Sequence, residues 1–280
     1  MIRGIGTRGA VAVNVIAMIG IGPLITIPLV LAQLAGPLAL VGWIAGAIVA
    51  LCDGLVWAEL GSRYPGSGGT YVYLREVFGN ATWGRLLAFL FNWQFLLYAP
   101  FLLASGYIGF ANYAGYLFPA LAASPALHVA AAIGIGLLTI ALLYRRIDAV
   151  ASLSVALAVA AILTLLLVIA ASLPHANLHR ALTLAAPVTF GWGFLAGLGG
   201  ALYITLYDYV GYSAAATLGD EVRAPSRTIP LATILSILIV AALYIALQVG
   251  VLGIVPWQEL VGRDGARTSS PSVAAAEYPT

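Results

Sequence analysis

Two clusters of unusual residues interrupt apolar stretches of this chain. The first is Ala17-Met18-Ile19-Gly20-Ile21-Gly22-Pro23-Leu24, and the second is Leu206-Tyr207-Asp208-Tyr209-Val210-Gly211-Tyr212. Proline removes a backbone donor and clashes one turn back, and paired glycines lower the cost of unwinding. Inside a bilayer an unwound segment leaves backbone groups that must face protein or a wet cavity. Two such interruptions in separate apolar spans are the sequence pattern expected where a transported solute is held at mid-membrane. Asp208 adds a carboxylate at that depth, where charge is costly and is a functional hypothesis by default. It could bind a cationic amine, carry a proton, or cap the unwound segment of its own helix by accepting N–H bonds.

Other reactive residue types are sparse. Asp53 and Glu59 read as hydrogen-bonding partners for a neighbouring helix. His175 and His179 are four apart, but no carboxylate or cysteine clusters with them in sequence, so no metal site is assigned. There is no nucleophile–base–orienter set, phosphate-binding glycine loop or basic nucleic-acid patch. The reading is therefore not an enzyme, with no cofactor and no nucleic-acid partner. The chain has no lysine, which excludes a retinal Schiff base despite a fitting helix count.

The elements that must position these residues are membrane spans. Hydrophobic residues make up 62% and charged residues 8% of 280 residues, against roughly a quarter charged in soluble domains. Seven apolar spans can be read, at about 10–34, 38–60, 84–111, 127–144, 149–172, 191–218 and 229–254. The first has no small-residue cleavage pattern at its end and is read as a retained span. The single cysteine, Cys52, is read as helix packing. Gly42-x3-Gly46 and Gly193-x3-Gly197 are small-residue spacings for close helix contact. All 12 basic residues are arginines. With a cytoplasmic N-terminus, Arg3, Arg8, Arg63, Arg75, Arg85, Arg145, Arg146, Arg223 and Arg227 lie inside, and Arg180, Arg263 and Arg267 outside. That asymmetry favours the N-in orientation of a multi-pass protein of the cytoplasmic membrane.

Two loop motifs follow spans 2 and 6. The first is Glu59-Leu60-Gly61-Ser62-Arg63-Tyr64-Pro65-Gly66-Ser67-Gly68-Gly69-Thr70-Tyr71-Val72-Tyr73-Leu74-Arg75-Glu76-Val77-Phe78-Gly79. The second is Asp220-Glu221-Val222-Arg223-Ala224-Pro225-Ser226-Arg227-Thr228-Ile229-Pro230. Arg223 and Arg227 beside Asp220 and Glu221 read either as an ion-pair cluster able to act as an inner gate or as a solvated loop. In these motifs the chain resembles the amino acid–polyamine–organocation superfamily of permeases, which carries P-x-S-G-G-x-Y-x-Y after helix 2 and E-E-[VI]-[KR]-N-P-x-R-x-[IL]-P after helix 6. The resemblance covers helices 1 through 7.

The resemblance implies an all-α integral membrane fold of seven transmembrane helices. It would be an inverted-repeat, broken-helix transporter of the leucine-transporter type. Repeat one would be 9–172 and a partial repeat two 191–254, followed by a polar tail at 255–280, all in one transmembrane domain. It implies secondary transport of amino acids or related amines by alternating access, with the lipid bilayer as surroundings and a proton as candidate coupling ion. Broken helices 1 and 6 would hold the substrate. By position, amide donors to its carboxylate would be Ile21, Gly22 and Leu24, with Gly20 and Gly22 allowing close approach. Carbonyls of Ile16, Ala17, Tyr207 and Asp208 would take its ammonium group, and a helix 6 tyrosine such as Tyr209 would close over it near Gly211.

The chain departs from the family pattern in three places. Ile21 stands where the helix 1 string G-S-G-[IV] has serine, and Pro23 follows the second glycine. Gly211 falls on the helix 6 family glycine, Val210 takes the acidic place, and Asp208 lies two residues earlier. The helix 5 lysine of some proton-coupled members is absent. Repeat two, with five helices in the family, is expected to supply two here. The alternative expectation is thus a truncated fragment that does not transport alone, its tail Ser270–Ala276 resembling the approach to an eighth helix.

Overall fold

The computed structural model describes residues 4–20, 22–79, 81–144, 147–184 and 190–264. Ile21, Arg3, Arg145, Arg146, Arg267 and the tail from 265 onward lie outside the described residues. The described chain is helical, with no strand beyond two isolated bridges. In chain order the helices are α1 (Thr7–Met18), α2 (Gly22–Gln33), α3 (Ala39–Arg63), α4 (Thr70–Val77), α5 (Thr82–Leu117), α6 (Pro119–Ala123), α7 (Pro125–Leu143) and α8 (Ile147–Ser172). They continue as α9 (Leu178–Leu182), α10 (Trp192–Tyr209), α11 (Ala214–Thr217), α12 (Pro225–Ile254) and α13 (Trp257–Asp264).

Among the described residues, five helical segments are long and apolar enough to cross a membrane, and α1 with α2, bent by 56° at their break, make a sixth if the pair is one span. The protein is therefore a multi-pass α-helical membrane protein. The expected span at 191–218 is divided: α10 ends at Tyr209 and the short α11 resumes at Ala214. Most expected boundaries agree to within a few residues. The largest extension is α5, which runs to 36 residues, about twice what a bilayer core needs. The last span starts earlier than its apolar run, because Pro225 occupies the first helical position, where its missing N–H costs nothing.

The chain forms two compact units, one from residues up to Ser67 together with those from Ala161, the other from Gly68 to Ala160. In the second unit, α4 packs on α5, and α5 packs along α7. In the first unit, α3 is the central element and packs against α12 and α10, while α1 lies on α12 and α2 on α10. Close approach of α3 and α10 follows from glycine. A Cβ at Gly42 would come within 2.9 Å of Ala201, and one at Gly46 would overlap Thr205. Of the second small-residue pair, Gly197 abuts the Gln33 carbonyl of α2, while Gly193 faces open space.

At the centre of this unit three fully buried rings meet edge-on or tilted. Trp43 lies 6.1 Å from Tyr209 and 5.4 Å from Tyr244, and the two tyrosines are 5.5 Å apart. Buried Tyr and Trp need partners for their polar tips, and each has one. The Trp43 indole donates to Gln248 Oε1 at 3.1 Å, the Tyr209 hydroxyl to the Trp43 carbonyl at 3.2 Å, and the Tyr244 hydroxyl to the Met18 carbonyl at 2.9 Å.

Candidate substrate site at the broken helices

The first break is produced where the sequence changes character. The Ile19 backbone turns extended while its N–H still bonds the Val15 carbonyl. Helix resumes at Gly22, so Pro23 lies in the first turn of α2, the one place in a helix where it is well tolerated. The first helix thus ends at Met18, within the cluster Ala17–Leu24, and the chain leaves it at Ile19, before the glycines and Pro23.

The second break falls in the later part of the cluster Leu206–Tyr212. Helix α10 stays intact through Tyr209, and the chain leaves it at Val210. Gly211 has φ of 128°, a conformation that L side chains rarely adopt. The charge at Asp208 therefore does not unwind the helix, and the backbone change occurs at the glycine. A Cβ at Gly211 would come within 2.7 Å of the Ala17 carbonyl group and 2.8 Å of the Met18 nitrogen. The two breaks are consequently in direct backbone contact.

Asp208 connects them. Its side chain is 4% exposed. Oδ2 accepts a hydrogen bond from the Thr26 hydroxyl of α2 at 2.5 Å. Oδ1 lies against Gly22, where a Cβ would overlap it, and accepts no hydrogen bond from any described residue. The carboxylate therefore packs against the first turn of α2, beside Gly22 and Thr26. A cap on its own helix is the local alternative for Asp208; the structure puts the carboxylate on a different helix.

The remaining expected residues divide. Ala17, Gly22 and Gly211 belong to the contact between the breaks, Gly20 is exposed with no residue of the second break near its Cβ position, and Leu24 follows in the first turn of α2. Ile16 and Tyr207 are each 38% exposed. The Tyr207 carbonyl accepts from the Val210 N–H, and that of Asp208 lies 3.4 Å from the Tyr244 hydroxyl. Tyr209 points into the aromatic cluster with its hydroxyl on the Trp43 carbonyl. Tyr212, beyond the break, instead donates to Asp53 at 2.5 Å, and Trp57 donates to the same oxygen at 2.8 Å.

Three residues join the site that sequence reasoning does not find. Thr26 lies one turn into α2 and faces Asp208. Tyr244 ties α12 to both breaks. Asn14, fully buried, accepts the Ala215 N–H at 2.8 Å, which caps the start of α11. Their one signal in the sequence is a polar atom inside an apolar span.

At the end of the unit that carries the N-terminus, the two loop motifs meet. Asp220 accepts the Ser67 N–H at 2.9 Å. Ile5 bridges Val222, exchanging hydrogen bonds with Glu221 and Arg223 at 3.0 and 2.8 Å. Gly219 lies so close to Pro65 and Gly66 that a Cβ would clash with their backbone. The opposite end is tied by Asn177 N–H to the Gly253 carbonyl and by Arg180 to the Ile254 carbonyl, each at 3.0 Å.

Comparison with known proteins gives the same direction. A family profile described as "Amino acid permease" matches residues 5–276. An uncharacterized transporter of Mycobacterium tuberculosis is 31% identical over 96% of this chain and 56% of its own length. The serine/threonine exchanger SteT of Bacillus subtilis is 28% identical over 80% of this chain and 48% of its own. The branched-chain amino acid permease BcaP of the same organism is 26% identical over 82% and 50%. The chain spans about half the length of these relatives.

Proposed function

The chain belongs to the amino acid permease family, and from that membership we propose that it serves secondary transport of amino acids or related amines, with the solute held where the breaks of α1/α2 and α10/α11 touch. The observation that carries this reading is the backbone contact of Gly211 with Ala17 and Met18. A membrane protein gains nothing in stability from two unwound segments unless their freed groups are used, and here they face each other beside a buried carboxylate. The conformational cycle would be alternating access, with one helix group rocking against the other about this contact. The membrane is the cytoplasmic one, with the N-terminus inside.

Binding is the direct test, since it requires only the two breaks. Purified chain in lipid nanodiscs should bind members of a radiolabelled panel of amino acids and amines saturably. Gly22→Val should abolish that binding while leaving membrane insertion intact, because the side chain would enter the space between the breaks. Wild-type affinity in Gly22→Val, or no saturable binding of any panel member to the unmodified chain, would remove the assignment.

A further inference from the structure

We propose that the cleft between α4 and α5 binds the phosphate headgroup of an anionic phospholipid through Arg75 and Arg85. The site lies within the second unit, Gly68 to Ala160, and does not depend on the solute site at the breaks. Spacing on two helices builds it. Tyr71 and Arg75 are four apart on α4, and Arg85, Phe89 and Asn92 recur at four and three residues on α5, so each set lies along one helix face. The two helices pack together, and these five residues line a cleft of about 690 Å³. Among the described residues that line it are two arginines and no carboxylate.

Phosphate is the anion this chemistry favours. A guanidinium presents a fork of N–H donors that matches two phosphate oxygens. Tyr71 holds Arg75 in place: the guanidinium lies over the ring, 5.6 Å from its centroid, and Nη1 is 3.5 Å from the hydroxyl. The five N–H donors of a guanidinium exceed what that contact uses. The Tyr71 hydroxyl and the Asn92 amide add neutral donors. The surroundings point to lipid as the source of the phosphate. Helix α5 is a candidate membrane span with Arg85 in its first turn, so the cleft opens at one end of the span. Trp83 beside it is 69% exposed, as suits an aromatic residue at the level of lipid headgroups. Phe89 and Asn92 carry the cleft about one to two turns toward the bilayer core, and Leu86, Leu90 and Trp93 next to them are exposed. A soluble phosphate would use only the arginine end. A phospholipid would also place its ester groups by Asn92 and its chains along that apolar face. Basic pockets between membrane helices near an interface suit such headgroups.

Native mass spectrometry of the full chain in detergent tests this, with phosphatidylglycerol and phosphatidylcholine of matched acyl chains as probes. The choline of the second cancels the charge of its phosphate. Phosphatidylglycerol is expected to bind about tenfold tighter, the worth of one charge-assisted contact, and to stay bound in excess inorganic phosphate. Arg85→Gln should lower its affinity about tenfold, and Arg85→Lys should recover only part of that, because an ammonium lacks the fork. Arg8→Gln, which removes an arginine of the first unit, should leave it unchanged. Arg75→Gln should act like Arg85→Gln; if loss of its contact with Tyr71 prevents folding, the Arg85 variants carry the test alone. Equal affinity for the two lipids, unchanged phosphatidylglycerol affinity in Arg85→Gln, or the same loss in Arg8→Gln overturns the inference. Release of the lipid by inorganic phosphate also overturns it, and would make the cleft a site for a soluble anion.

Discussion

The decisive residue is Asp208, and its effect comes from what it touches. Gly22 has no side chain, which is what admits the carboxylate against the first turn of α2. Gly22→Ala should therefore destabilise the protein by about 1–3 kcal/mol, the usual penalty of forcing atoms into a filled space. Adding Asp208→Ala removes the atom it strikes, so the double variant should melt above the level expected from summing the two single changes. A thermal-melt double-mutant cycle in detergent checks this, and strict additivity would mean the two residues do not meet. Thr26→Val removes the hydroxyl that donates to Oδ2. It should cost about 1–3 kcal/mol, because a buried charged acceptor is left bare. Thr26→Ser should recover most of that loss in the same melts, and equal loss in both variants would point to packing of the methyl group instead.

At the scale of elements, the two breaks are stable because each is fitted to the other. The first leaves helix at Ile19 and resumes at Gly22, while the second turns at Gly211 with φ of 128° against the backbone of Ala17 and Met18. Gly211→Ala meets both a backbone conformation closed to alanine and a backbone clash, so its loss should exceed the roughly 1 kcal/mol of an ordinary glycine replacement. Val210→Ala, whose side chain is 50% exposed, should be close to neutral. Hydrogen exchange of the amides around 16–19 should rise in Gly211→Ala and not in Val210→Ala; equal protection in the two variants would show the breaks to be independent. The α3–α10 contact, held by Gly42 and Gly46 against Ala201 and Thr205, keeps α10 in place beside this junction.

At the scale of the whole molecule, the first unit has two tied ends. One gathers Ile5, Ser67, Asp220, Glu221 and Arg223, and the other joins Asn177 and Arg180 to the end of α12. Arg8, Arg63, Arg223 and Arg227 belong by connectivity to the first end, and Arg180 to the second. In the orientation proposed above, the arginine excess puts the first end on the cytoplasmic side. In a Cys52→Ser background, a cysteine at Gly4 should be labelled only after the membrane is opened, and one at Asn177 should be labelled in intact cells by an impermeant maleimide. The reverse pattern would invert the orientation.

The sequence by itself determined the membrane class, the approximate spans, the two interrupted helices and the family resemblance carried by the loop motifs. These are local properties: apolar length sets a span, and glycine and proline set where a backbone is free to leave the helix. What it could not determine was where each break begins and what Asp208 meets. Asp208 and Thr26 are 182 positions apart, Tyr244 and Met18 226, and Asn14 and Ala215 201. No pattern along the chain encodes such pairs. Only the packing of α2, α10 and α12 decided that the carboxylate would pack against another helix instead of capping its own, that Tyr209 would join Trp43 and Tyr244 in the core, and that the second break would wait for Gly211. In each case the physical reason is the same: a buried polar group goes where a partner from a distant segment can satisfy it, and that partner is placed by tertiary contact.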